Sequence, residues 1–244
     1  MLKGCKKRMK NSDTNKELKR LVGTAAAQLP EDGMVCGLGT GSTVAFLLEE
    51  LGRRVKEEGL RIVGAPTSFQ SKILCLNYNI PIREPQDCAT LDLAIDGADE
   101  VDPRLNLIKG GGAAHTREKI VAAMAKRFVV IVDETKLVAA LGTTFPIPVE
   151  VIPAALKFVS ATIAQLGGEP QLRMGLRKDG PVITDNGQLV IDARFTPGSD
   201  LREIDRILHQ TPGVVETGLF FDLASQVLVG RLEKSTVETI VRPA

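Results

Sequence analysis

The chain has 244 residues, with 31 Lys and Arg against 30 Asp and Glu, so a formal net charge of +1 sets up no global field for nucleic acid or a membrane surface. Hydrophobic residues make up 43% and charged residues 25%, ordinary for a globular protein with a sizeable core. One Tyr and no Trp weaken any reading as a binder of single-stranded nucleic acid, which usually needs stacking aromatics, and no apolar run is long enough for a signal peptide or a membrane span.

Charge is locally unbalanced only in the leader, where Lys3, Lys6, Lys7, Arg8 and Lys10 read as a solvated terminus. Residues 12–29 predict a helix with Ser12 or Asp13 as cap and Leu18, Leu21, Val22, Ala25 and Ala26 as its apolar stripe. Residues 34–38 read as a short strand. Gly37-Leu38-Gly39-Thr40-Gly41-Ser42-Thr43 follows, then a helix with Val44, Leu47, Leu48 and Leu51 on one side. A strand, a glycine turn and a helix in that order point backbone N–H groups at an anion. A Walker A loop needs a lysine that is absent here. A dinucleotide fingerprint needs G-x-G-x-x-G and a carboxylate after the next strand, which instead ends in Pro66-Thr67-Ser68. A phosphate or sugar hydroxyl on the loop amides with Thr40, Ser42 and Thr43 remains, beside the plainer reading of a tight turn with a Ser/Thr cap.

Residues 61–65 read as a strand, 68–77 as a helix capped by Thr67 or Ser68, and 80–82 as a small strand. The stretch LDLAIDGADEVDPRLNLIKGGGAAHTREKIV, residues 91–121, holds the densest cluster of charge. Strand 91–95 breaks into Asp96-Gly97-Ala98-Asp99-Glu100. Apolar residues 105–108 run into Lys109 and Gly110-Gly111-Gly112. A helix over 116–126 carries Glu118 in its first turn and Ile120, Ala123 and Met124 at helical spacing. Strand 128–132 ends in Asp133-Glu134-Thr135-Lys136. Four successive strands thus deliver Thr40/Ser42/Thr43, Thr67/Ser68, Asp96/Asp99 and Asp133/Lys136 to one sheet edge, which predicts a common cleft.

From Pro146 the pattern changes: strand 147–152, helix 153–166 with Leu156, Val159, Ile163 and Leu166 on one face, strand 170–174, an Asp185-Asn186-Gly187 hairpin turn, strand 189–193, a helix from Ser199 or Asp200 to His209, and strand 214–220. This β-α-β-β-α-β order is the ferredoxin-like plan. Residues 226–231 and 237–241 read as strands returning to the first sheet. The expected fold class is α/β, a Rossmann-like catalytic domain of residues 1–145 and 220–244 with an inserted ferredoxin-like α+β domain of residues 146–219 acting as lid or oligomerisation element.

Cys5, Cys36, Cys75 and Cys88 contain no C-x-x-C pair, and Cys36 and Cys75 read as buried free thiols of a reduced, cytoplasmic protein. His115 and His209 carry no metal-binding motif, so no metal is expected, and His115 reads as an exposed loop residue outside the chemistry. Glu118, held anionic by the helix dipole, is a candidate base, or else a dipole-complementing or ion-paired residue. Beside Lys109, the glycines and the Asp96/Asp99 pair, it suits removal of a proton next to a carbonyl, with the cation and N–H groups stabilising the enediolate. That chemistry needs no cofactor.

GLGTGSTV, PTSFQS, DGADEVD, KGGGAAHTREKIV and DETK, in this order and spacing, resemble ribose-5-phosphate isomerase, type A, and GGEPQLR, TDNG and TPGVVETGLF fit the same family. The resemblance runs from about Glu17 to the C-terminus. It implies interconversion of D-ribose 5-phosphate and D-ribulose 5-phosphate in the non-oxidative pentose phosphate pathway, without metal, by a cytoplasmic homodimer or homotetramer. It implies Glu118 as general base, with Lys109, Asp96 and Asp99 also catalytic. Substrate binding would fall to Thr40, Gly41, Ser42, Thr43, Asp96, Gly97, Ala98, Asp99, Lys109, Gly110, Gly111, Gly112 and Lys136. The only expected partner is a small sugar phosphate, with no nucleic acid or membrane. Alternatives are a phosphosugar sensor, which would need no base, and another enzyme on a similar sheet, such as a sugar-phosphate deaminase, a lactonase or a coenzyme A transferase.

Overall fold

The computed structural model describes residues 15–177, 179–233 and 235–242. The basic leader and the Ser12 or Asp13 cap lie outside them. By packing, the described residues form two units, one within Met1–Gly97, Val121–Lys136 and Ala224–Ala244, the other within Ala98–Ile120 and Leu137–Leu223.

The first unit is built on a six-stranded sheet of β1 (Val35–Leu38), β2 (Val63–Pro66), β3 (Leu93–Asp96), β6 (Phe128–Asp133), β12 (Gln226–Arg231) and β13 (Thr236–Val241). Its order is β13-β12-β6-β3-β1-β2, parallel throughout except for the β12–β13 hairpin. The returning strands expected after residue 225 are therefore present. Helix α1 (15–26) places Val22 and Ala26 in the core, and α2 (Ser42–Arg53) adds Val44, Leu47, Leu48 and Leu51, the predicted stripe. Helix α3 (Phe69–Asn77) starts at Ser68, whose hydroxyl accepts from the Ser71 N–H while the Ser71 hydroxyl caps the Ser68 N–H in return. Residues 80–82 do not form a strand. Ile82 makes one isolated bridge to Gly64, because Pro81 has no N–H to extend a ladder.

The second unit contains a four-stranded antiparallel sheet of β7 (Ile147–Val151), β8 (Glu169–Leu172), β9 (Leu189–Arg194) and β10 (Val214–Thr217), in the order β10-β7-β9-β8. Numbered within this insertion the order is 4-1-3-2, the ferredoxin-like arrangement. Helices α5 (Leu156–Gln165) and α6 (Leu201–His209) pack Val159, Ile163, Ile204 and Leu208 against it. Asp200 caps α6 through the Glu203 N–H, and Gly187 takes φ +81° in the predicted hairpin turn.

The run read as one strand over 214–220 divides at Gly218 between two sheets. Residues before it pair with β7, whereas β11 (Leu219–Phe220) joins β5 (Leu107–Ile108), itself paired with β4 (Glu100–Val101). A Cβ at Gly218 would lie 2.3 Å from the Lys109 carbonyl oxygen, so only glycine lets the chain cross there. Helix α4 (His115–Met124) also differs from expectation. Ile120 is about half exposed, and the buried positions are His115, Glu118, Val121 and Ala122. The helix turns two polar side chains inward, which an apolar periodicity cannot reveal.

Candidate active site

The candidate residues fall into two groups, one in each unit. In the first, strand order reverses at β1, which has β2 on one side and β3 on the other. Such a switch point is where open α/β sheets bind ligands. The loop after β1 and the carboxylate ending β3 meet there. Asp96, 3% exposed, accepts from the Thr40 N–H at 3.0 Å and from the Gly97 N–H at 2.7 Å, both at Oδ1. The Thr40 hydroxyl lies 2.9 Å from Thr67 Oγ1 and donates to Ser68 Oγ at 2.7 Å, tying together the ends of β1 and β2. Gly41 holds φ +108° and gives its N–H to Gln70 Oε1 at 3.1 Å. Ser42 and Thr43 open α2, which has no side-chain cap, and Lys19 reaches Ser42 Oγ at 3.0 Å. Lys136 ends the 3-10 turn Glu134–Lys136 on the same sheet edge, directly after β6.

In the second unit, Lys109 follows β5 and Glu118 lies in the first turn of α4. Lys109 Nζ sits 3.2 Å from Glu118 Oε2, and the two side chains are only 3% and 6% exposed. A buried ion pair gains little stability over an apolar pair of the same size, so its presence calls for another reason. The Lys109 ammonium also lies 5.6 Å from the centroid of the buried Phe220 ring, and Lys119 lies 5.0 Å from it. Asp99 is fixed twice: its N–H donates to the Ile108 carbonyl at 2.8 Å, and its Oδ2 accepts from the Gly111 N–H at 2.8 Å. Ala98 is half-buried beside it, and Gly111 and Gly112 are exposed. Gly110 takes φ +107°, and a Cβ there would come within 2.7 Å of His115 Nδ1.

His115 is therefore not the exposed loop residue expected. It opens α4 and is fully buried beneath the glycine loop. Burial first, then the charges of Lys119 and Arg173, push its pKa down to about 3, outweighing the opposite influence of Glu216. Sequence reasoning gave no role to Lys19, Gln70, Arg173 or Phe220, although the last three lie within PTSFQS, GGEPQLR and TPGVVETGLF. Only their tertiary neighbours show what each one meets. Cys36 and Cys75 are buried free thiols, with burial raising each to about 12. Among the described residues no three His, Cys, Asp or Glu side chains are grouped to hold a metal ion, and no helix is long and apolar enough to cross a membrane.

The family model of ribose 5-phosphate isomerase A (phosphoriboisomerase A) matches residues 63–234. The chain belongs to this family. It is 53% identical over 223 residues to ribose-5-phosphate isomerase A of Thermosynechococcus vestitus, covering 91% of this chain and 94% of that one. Among solved structures, ribose 5-phosphate isomerase A of Methanocaldococcus jannaschii is 50% identical with a TM-score of 0.88, covering 93% of this chain and 99% of that one. A D-ribose-5-phosphate isomerase in complex with phospho-erythronic acid is 46% identical with a TM-score of 0.89, covering 93% and 98%. The Rossmann-like part and the ferredoxin-like insertion are thus those of the ribose 5-phosphate isomerase A fold.

Proposed function

We propose that this chain interconverts D-ribose 5-phosphate and D-ribulose 5-phosphate through an enediolate, as an aldose–ketose isomerase of the non-oxidative pentose phosphate pathway. The observation that carries the reading is the buried Lys109–Glu118 pair beside a glycine loop. Glu118 takes the proton from C2 of the open-chain aldose and returns it to C1, and no redox partner is required. Lys109 meets the negative charge that develops on the sugar oxygens during that transfer. In our reading Asp96 and Asp99 handle the hydroxyls and assist ring opening, while Gly97, Ala98 and Gly110–Gly112 line the substrate. The Thr40–Thr43 loop and Lys136 hold the remainder of the sugar phosphate. The relative solved with phospho-erythronic acid supports this, because the carboxylate of such an acid imitates the planar oxygens of an enediolate.

The same proposal keeps residues 1–145 and 220–244 as the catalytic domain and gives residues 146–219 a lid or subunit-contact role. We expect a cytoplasmic homodimer or homotetramer with no nucleic-acid or membrane partner. The free buried thiols suit a reducing compartment. Helix α3 leaves Phe69, Ile73 and Leu76 more than half exposed at helical spacing, as an interface between copies would.

The deciding experiment is isomerisation of ribose 5-phosphate by the purified protein in the presence of a chelator, with Glu118→Gln as control. Wild-type turnover that falls at least about a thousandfold in the variant, while the sugar phosphate still binds, is expected for loss of a base. Full activity in Glu118→Gln would remove Glu118 from that role. Sugar-phosphate binding without turnover by the wild type would favour a sensor.

A further inference from the structure

Among the charged groups of the insertion that the isomerase reading does not use, Arg173 reaches the glycine loop. Arg173 follows β8, where its backbone N–H bonds the Val190 carbonyl at 2.9 Å and its carbonyl accepts from the Val182 N–H at 2.9 Å. Its side chain is 13% exposed. Two of its nitrogens grip Asp192, Nε to Oδ2 at 2.9 Å and Nη2 to Oδ1 at 2.5 Å. This two-point grip fixes the plane of the guanidinium. The third nitrogen, Nη1, then donates to the Gly110 carbonyl at 2.7 Å and approaches the Gly111 carbonyl at 3.3 Å.

Those two carbonyls belong to the peptides on which the candidate chemistry hangs. Gly110 directly follows Lys109, and the N–H of Gly111 holds Asp99. The Gly110 carbonyl accepts from the Ala113 N–H at 2.9 Å within the loop itself, and Arg173 adds a second donor from outside the loop. A Cβ at Gly110 would come within 2.7 Å of His115 Nδ1 and 3.0 Å of Pro148 Cγ, so the loop packs too closely there for any residue but glycine.

We propose that Arg173, clamped by Asp192, is a positioning residue for the isomerisation: it aims the Gly110–Gly111 peptides so that Lys109 stays against Glu118 and Asp99 stays at its hydrogen-bonded place. The inference rests on the isomerase reading. Arg173 touches neither Lys109 nor Glu118 through any bond described above, so its effect passes through the loop. Lysine cannot substitute, since one ammonium cannot grip a carboxylate at two points and also serve the loop carbonyls.

The test compares wild type, Arg173→Ala, Arg173→Lys and Asp192→Asn in the conversion of ribose 5-phosphate, with melting temperatures measured in parallel. A displacement of about 1 Å at a reacting group costs up to about a hundredfold in rate, so Arg173→Ala should lose roughly 10- to 100-fold in kcat while KM moves less than about threefold. Arg173→Lys should recover little of this, and Asp192→Asn should lose less than Arg173→Ala. Millimolar guanidinium added to Arg173→Ala should restore several-fold activity, which it would not do for a protein that had merely lost stability. Wild-type kcat in both Arg173 variants overturns the inference. So does a loss that follows the unfolded fraction and that guanidinium leaves unchanged. Should Arg173→Ala not fold, Arg173→Lys decides by its kcat. A wild type without isomerase activity would overturn the isomerase reading itself, and the inference with it.

Discussion

Gly39 shows how closely the first group of residues is fitted. A Cβ at this position would stand 2.1 Å from both Cγ and Oδ1 of Asp96, closer than any real contact. The same Oδ1 accepts from the Thr40 and Gly97 N–H groups, so the carboxylate cannot retreat without breaking both bonds. Gly39→Ala should therefore destabilise the protein by about 1–3 kcal/mol through overpacking. It should also cut turnover by roughly 100-fold by displacing Asp96 and the Thr40 loop. Thermal melting together with the isomerase assay checks both. Wild-type turnover at unchanged melting temperature would mean that Asp96 has room the geometry denies it. The glycine itself was visible as part of GLGTGST, but sequence spacing suggested a loop that admits a ligand. The structure adds that this particular glycine admits a neighbouring carboxylate.

At the scale of elements, α4 and the antiparallel sheet of the second unit are joined by a buried acid. Glu150, in the middle of β7, is fully buried and accepts from the hydroxyl of Thr116 in the first turn of α4. It also accepts from Thr184 Oγ1 at 2.7 Å and Asn186 Nδ2 at 3.1 Å, both from the β-turn segment before β9. Removing one donor leaves a buried acceptor short of a partner, which costs about 1–3 kcal/mol. Thr116→Val should lower stability by that amount and reduce kcat, since Glu118 lies two residues further along the same turn. Thr116→Ser should restore both. If Thr116→Val melts as the wild type does, Glu150 is not holding the helix.

Elements with local signals were legible: the Ser68 cap, the Asp185-Asn186-Gly187 turn, the stripe of α2 and the polar ends of β1, β2, β3 and β6. Those that depend on distant partners were not. The two-residue strand Glu100–Val101 is defined by its pairing with β5, and the division at Gly218 by the approach of the Lys109 carbonyl. Helix α4 misled the periodicity because its buried face carries His115 and Glu118, while Ile120 faces solvent. The candidate site followed the same rule. Lys109, Glu118, Asp96 and Asp99 stood out because charge clusters at strand ends. Arg173 and Phe220 stood inside GGEPQLR and TPGVVETGLF, but nothing local showed that one meets Gly110 and the other Lys109.

Acid stability is a property of the folded molecule as a whole, and His115 gives it a definite sign. Its ring is completely buried, and burial together with Lys119 and Arg173 lowers its pKa from 6.5 to about 3. Below pH 6.5 the unfolded chain takes a proton that the folded chain refuses. Stability is thus complete above that pH and declines as the pH falls, by about 1.4 kcal/mol per unit until about pH 3. Summed over the window this approaches about 5 kcal/mol, comparable with the entire stability of many domains. Glu216 adds to the decline only lower down. Burial opposes its charge, but His209, Lys119 and the Thr217 N–H outweigh burial and hold its pKa at about 2, so its contribution is complete above 4.5 and lost below it. His209, raised chiefly by its bond to Glu216, acts in the opposite sense: its contribution is present below 6.5 and lost as pH rises through its folded value. The interval between pH 6.5 and 4.5 therefore belongs mainly to His115. In His115→Leu, denaturant midpoints measured from pH 7 to 4 should stay nearly level across that interval and fall only below it, whereas the wild type should decline throughout. Parallel curves for the two proteins would show that His115 takes up its proton in the native state, and that the packing beneath the glycine loop opens to admit it.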